Sequence, residues 1–153
     1  LAVAVPPGAV LRELDYAGVP TGRRDPWPGD PGERWAVVDA ATPARVVALE
    51  GLAPQRVDLR GAHASVVVEW QGEALPHALL WEELAVSTDA PWNGQVRALG
   101  IEPTSTPHGA GTALDEGIVH LPPGGALAWS VALDVTWASV DPHPTRHPES
   151  EAS

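Results

Sequence analysis

Leu127-Ala-Trp-Ser-Val-Ala-Leu-Asp-Val-Thr-Trp137 places an apolar side chain at every odd position: Leu127, Trp129, Val131, Leu133, Val135 and Trp137. Between them stand Ala128, Ser130, Ala132, Asp134 and Thr136, all small or polar. Side chains of an extended chain point alternately to opposite faces, so this period predicts a long strand with one buried face. The Pro122-Pro-Gly-Gly125 turn and the run Gly117-Ile-Val-His-Leu121 before it complete a predicted hairpin. Working outward, shorter runs of the same kind occur at 1–5, 10–14, 35–38, 45–49, 64–70, 77–86 and 95–101. Each is bounded by Pro, Gly, Asp or Asn. Short strands with turn chemistry between them point to an all-β chain, an antiparallel β-sandwich or barrel. The only helix expected is a short one at 112–116, capped by Thr112 and ended by Gly117.

The 153 residues suit one domain, and a hydrophobic share of 44% suits a packed core. Gly 15 and Pro 17 leave little room for long helices. Residues 20–34 and 102–111 read as Pro- and Gly-rich loops. The segment 138–153 is rich in Pro, His, Ser and Glu, so the expected division is a folded 1–137 and a disordered tail 138–153.

Composition removes several functional classes. A net charge of −11 argues against nucleic acid and anionic membrane as partners, since both demand a basic surface. No stretch approaches the ~20 apolar residues of a membrane span. All basic residues are Arg, so Schiff-base chemistry and a phosphate-loop lysine are excluded. Cys 0 removes thiol catalysis, disulfides and Cys-ligated metals. His143 and His147 are four apart but flank Pro144, so no helix frames them as a metal pair. Gly109-Ala-Gly111 precedes no long helix and makes no phosphate cradle. No Gly-x-Ser-x-Gly elbow anchors a hydrolase triad. No metal and no cofactor is expected. The aromatic usage, Trp 7 with Tyr 1 and Phe 0, fits either a Trp-filled core or sugar-stacking platforms.

Two adjacent segments concentrate the remaining chemistry. In Leu75–Leu84, alternation sets His77, Leu79, Trp81 and Glu83 on one face and Leu80, Glu82 and Leu84 on the other, so at most one of Glu82 and Glu83 enters a common cleft. In Pro91–Ser105, Glu102 ends an apolar strand where Pro103 enforces a loop. A partly shielded carboxylate there, beside an aromatic ring, suits a general base.

Trp92-Asn-Gly-Gln-Val-Arg-Ala-Leu-Gly-Ile-Glu-Pro-Thr-Ser105, preceded by Ala78-Leu-Leu-Trp-Glu-Glu83, resembles the C-terminal half of aldose 1-epimerase (galactose mutarotase-like) proteins. The specific likeness covers 78–105, and the order of elements extends it to 1–137. The resemblance implies a galactose mutarotase-like supersandwich of which this chain is a C-terminal fragment. It implies that Glu102 takes the proton from the anomeric hydroxyl of a hexose, with His77, Trp81, Glu82 and Trp92 contacting the sugar. The family's ring-oxygen acid, a His, and its sugar-binding Arg or Asn residues are expected before Leu1, and the family's His-Pro segment has no counterpart here. The function so implied is an isomerase interconverting α and β anomers; the alternative is a non-catalytic carbohydrate-binding module. A neutral hexose fits the charge better than a sugar phosphate. Without an export signal the expected compartment is the cytoplasm, and these readings leave oligomeric state open.

Overall fold

The computed structural model describes residues 1–27, 44–109 and 115–138. Its strands are β1 (Ala2–Ala4), β2 (Val10–Leu14), β3 (Pro20–Pro26), β4 (Arg45–Glu50), β5 (Arg56–Arg60), β6 (Ala64–Gln71), β7 (His77–Leu84), β8 (Arg97–Thr104) and β9 (Ser130–Trp137). They form two antiparallel sheets, ordered β1-β5-β6-β9 and β3-β2-β4-β7-β8. The chain is an antiparallel β-sandwich, and no helix occurs among the described residues. None is therefore long and apolar enough to cross a membrane.

The core lies between the sheets, where Leu11, Val47, Leu49, Ala78 and Leu80 of the larger sheet face Val3, Val57, Val68 and Trp70 of the smaller. Burial of this apolar surface is the dominant favourable term in folding. Trp70 is accommodated because its indole N–H donates to the Leu75 carbonyl at 2.9 Å. The central strand β4 is buried along its whole length, which explains why its sequence is a continuous apolar run rather than an alternation.

One charged pair is sealed into this interior. Arg45 and Glu82 oppose each other in the β4–β7 ladder, with Arg45 Nη2 donating to Glu82 Oε1 at 3.0 Å and Nε donating to Oε2. Their side chains are 5% and 0% exposed.

Four local expectations are corrected, and one strand, β5, has no forerunner in the sequence reading. Residues 20–26, read as loop, form the edge strand β3; its Pro and charged residues are tolerated, and useful, where one side of the strand has no partner. β5 has only Val57 and Leu59 as apolar signal between Arg56, Asp58 and Arg60, and it takes its order from pairing with β1 and β6. Residues 117–121 are not a strand; β9 pairs instead with β6, in register from Ala64↔Trp137 to Gln71↔Ser130. Pairing with β6 aligns Val131, Leu133 and Val135 with Trp70, Val68 and Val66, a longer apolar match than 117–121 offers.

Lastly, the apolar side of β9 is not buried: Val131, Leu133 and Trp137 are 42%, 68% and 73% exposed. Residues 115–117 open a turn, closed by Ile118 N–H donating to the Asp115 carbonyl, and not the end of a helix. The expected start of that helix at 112–114, the strand at 35–38, the rest of the 20–34 loop beyond Trp27, the His143/His147 pair and most of the 138–153 tail lie outside the described residues.

Candidate functional site

The outer face of the five-stranded sheet, away from the core, carries a second apolar cluster of Leu14, Val46, Ala48, Leu79 and Trp81. Register explains it. Val46 opposes Trp81 and Ala48 opposes Leu79, while across the next ladder Trp81 opposes Gly100 and Leu79 opposes Glu102. Gly100 has no side chain to hold Trp81 away. A Cβ there would lie 3.4 Å from both Trp81 Cε3 and Glu102 Oε1, so the glycine is the gap that lets indole and carboxylate share one spot.

The other walls come from loops. Beyond β7 the chain turns through Asp89, whose carbonyl accepts from Trp92 N–H (2.9 Å) and Asn93 N–H (3.0 Å). Asn93 and Gly94 take left-handed backbone angles (φ 51° and 66°), which Asn and Gly tolerate best. This turn brings Trp92 over the sheet, its ring centroid 4.9 Å from that of Trp81 at an interplanar angle of 57°.

From the opposite side, the β2–β3 turn is shaped by Asp15, whose Oδ1 accepts from Ala17 N–H and Val19 N–H at 2.9 and 2.8 Å. Gly18 of that turn meets Gly109, with Gly109 N–H donating to the Gly18 carbonyl at 2.8 Å. The approach is so close that a Cβ on Gly109 would lie 2.6 Å from Gly18 Cα.

Together these elements enclose an open cavity of about 320 Å³ lined by Tyr16, Leu79, Trp81, Trp92 and Glu102, with Gly18 and Gly109 at its wall. A cavity of that size is at the lower end of small-molecule sites. Glu102 is exposed and has no hydrogen-bond or ion-pair partner among the described residues. Its oxygens are free acceptors beside two half-buried indoles. Glu102 lies inside β8 rather than at a strand end, and the shielding expected for it is not observed. Pro103 is accommodated because β8 is an edge strand.

Of the residues singled out in the sequence, Glu102, Trp81 and Trp92 converge on this cavity. Glu82 does not: it points to the inner side of the sheet and is paired with Arg45. Glu83 is on the cavity side but saturated, accepting from Val86 N–H (2.9 Å), Ser87 N–H (3.1 Å), Ser87 Oγ (2.5 Å) and Tyr16 Oη (3.2 Å). The Ser87 hydroxyl, chiefly, lowers the Glu83 pKa below the usual carboxylate range, and Glu83 in turn positions Tyr16.

His77 is also outside the cavity. It sits farther along the same face, beside a charge network in which Arg12 holds Glu50 (2.9 Å) and Glu116 (2.7 and 3.0 Å), while Arg24 holds the other oxygen of Glu50 (2.8 Å). Burial lowers the His77 pKa, opposed in part by Glu50 and Glu116. The Arg12 hydrogen bond draws the Glu116 pKa down.

Sequence reasoning missed Tyr16, Gly18, Gly100 and Gly109. For Tyr16, Gly18 and Gly109 the only signal was turn chemistry, and turns do not announce which other turn they will meet; Gly100 was a glycine inside a predicted strand, a sign of close approach that does not name the neighbour. Among the described residues no group of three His, Asp or Glu side chains could hold a metal ion.

Comparison of the chain with family models, with curated proteins and with solved structures finds no match.

Proposed function

We propose that the outer-face cavity binds a neutral hexopyranose and that the protein acts at its anomeric carbon as an aldose 1-epimerase-like isomerase, with Glu102 as general base. The observation that carries this reading is the meeting of Trp81, Trp92 and an unpaired Glu102 around one cavity. Flat indole faces suit the C–H face of a pyranose, and a free carboxylate accepts a sugar hydroxyl. In the reaction Glu102 takes the proton from the C1 hydroxyl as the C1–O5 bond breaks and O5 takes a proton from water. The aldehyde face then turns and the ring recloses, with water taking the O5 proton back and Glu102 returning its proton to O1.

A second reading, a carbohydrate-binding module without catalysis, is favoured by the lining itself. Apart from Glu102, the only proton-bearing side chain of catalytic type in it among the described residues is Tyr16, whose hydroxyl is engaged by Glu83 and Ser87.

Anomer interconversion of freshly dissolved hexoses, followed by polarimetry or NMR, separates the two. The isomerase reading expects rate enhancement that Glu102→Gln reduces by about 100-fold or more, the usual weight of general base catalysis. The module reading expects saturable quenching of Trp fluorescence by sugar, lost in Trp92→Ala, with no rate enhancement. Absence of both sugar binding and rate enhancement overturns the two readings together.

A further inference from the structure

Trp129-Ser-Val-Ala-Leu-Asp-Val-Thr-Trp137 reads almost alike in both directions. About Leu133, Val131 mirrors Val135, Ser130 mirrors Thr136 and Trp129 mirrors Trp137; only Ala132 and Asp134 differ in kind. Pairing with β6 does not demand this symmetry, because the residues opposite run Ala64, Val66, Val68, Trp70, from small to large. In an antiparallel second copy of the same strand centred on Leu133 each residue meets its mirror, so the symmetry sets Val against Val and Trp against Trp. We propose that β9 is a self-association strand, through which two copies of this chain pair about a two-fold axis at Leu133.

The backbone supports that centre. Ala138 N–H donates to the His63 carbonyl at 2.8 Å, continuing the β6–β9 register. Even-numbered residues of β9 are therefore the ones hydrogen-bonded to β6, and the N–H and C=O groups of Val131, Leu133 and Val135 point to the open edge. Among the described residues β9 is the last strand of its sheet. With the axis at Leu133, these outward groups form hydrogen-bonded pairs: Leu133 with its own mate, and Val131 with the mate of Val135.

An antiparallel pair related by an axis perpendicular to the sheet keeps both apolar faces on one side. The exposed strips of the two copies then become one continuous strip. Moving the axis by one residue, to Asp134, would set two carboxylates directly opposite each other, where like charges are destabilising. The axis at Leu133 places Asp134 against Ala132 instead.

The contrast with the other edges points the same way. β3 carries Arg23, Arg24, Asp25 and Pro26; β8 carries Arg97, Glu102 and Pro103; β1 is only 3 residues long. Charge, proline and shortness are the devices that keep strand edges from pairing. β9 has 8 residues, one charge and no proline. Trp129 and Trp137 are 59% and 73% exposed.

The test is sedimentation of the whole 153-residue chain over a wide concentration series, with and without Leu133→Lys. The expected result is a reversible dimer of the 16.0 kDa chain, weakened at least ~100-fold by the like charges that Leu133→Lys sets at the axis. Because the chain has no cysteine, L133C and V131C each add one thiol. At position 133 the mates stand about 5.5 Å apart between Cα atoms, inside disulfide range. At position 131 they stand four residues apart along the strand, about 13 Å. Oxidation should therefore cross-link L133C and leave V131C single, a result that holds even if Leu133→Lys fails to fold. A monomer at every concentration, with the face covered by the chain's own residues or left bare, overturns the proposal. So do association that grows past the dimer and equal cross-linking at both positions.

Discussion

Glu82→Ala isolates what the buried ion pair does. In the wild-type chain Arg45 and Glu82 are joined by two hydrogen bonds, with side chains 5% and 0% exposed. Removing the carboxylate leaves a guanidinium on the inner side of β4, next to Val47 and Leu49 in sequence, where it can neither lose its proton nor reach bulk water. Breaking one side of such a pair costs about 3–5 kcal/mol. For a chain of this size that corresponds to a fall in Tm of roughly 6–20 °C, at about 2–4 °C per kcal/mol.

Replacing both residues with apolar ones, Arg45→Met with Glu82→Leu, removes the buried guanidinium as well as the carboxylate, so most of the loss should be recovered. Urea unfolding followed by circular dichroism and by Trp fluorescence gives both numbers. The reasoning fails if Glu82→Ala loses less than ~1 kcal/mol, as an exposed pair would, or if the double variant is no better than the single one. The same variant addresses function. If Glu82→Ala stays folded and stable but loses sugar binding, Glu82 is a ligand contact and its placement on the inner side is wrong.

Two further outcomes are expected. Gly109→Ala inserts a Cβ 2.6 Å from Gly18 Cα, and backbone cannot move aside cheaply; a stability loss of about 1–3 kcal/mol should accompany weaker sugar binding, whereas Gly94→Ala, with open space around its Cβ position, should show only the strain of its positive φ. Glu83, held below its ordinary value of 4.5 chiefly by Ser87, contributes stability that is complete above about pH 4.5 and drains away as pH falls through its lower folded value; Ser87→Ala should therefore destabilise more at pH 7 than at pH 3, and an equal loss at both would refute that assignment.

The period-2 alternation of 127–137 and the shorter runs at 10–14, 64–70 and 77–86 were enough to assign strands and an all-β class, because side-chain alternation is a local property of extended chain. Local order also determined that Trp81 and Glu82 would lie on opposite faces. It did not determine which face would be core. The β4–β7 ladder decided that, by opposing Glu82 to Arg45 and turning Trp81 outward with Val46.

The cavity is tertiary in origin: Tyr16 and Gly18 come from one turn, Trp92 from another, Gly109 from the segment that follows β8, and the Gly18–Gly109 contact and the 4.9 Å approach of Trp92 to Trp81 bring them together. β3 shows the same division, since its Pro, Gly and charges resemble a loop until an edge position makes them suitable. At 127–137 the sequence by itself determined a strand and its apolar side. Only the packing of the sheets decided that this side would be left open, because burial depends on what lies across the gap and not on the strand's own residues.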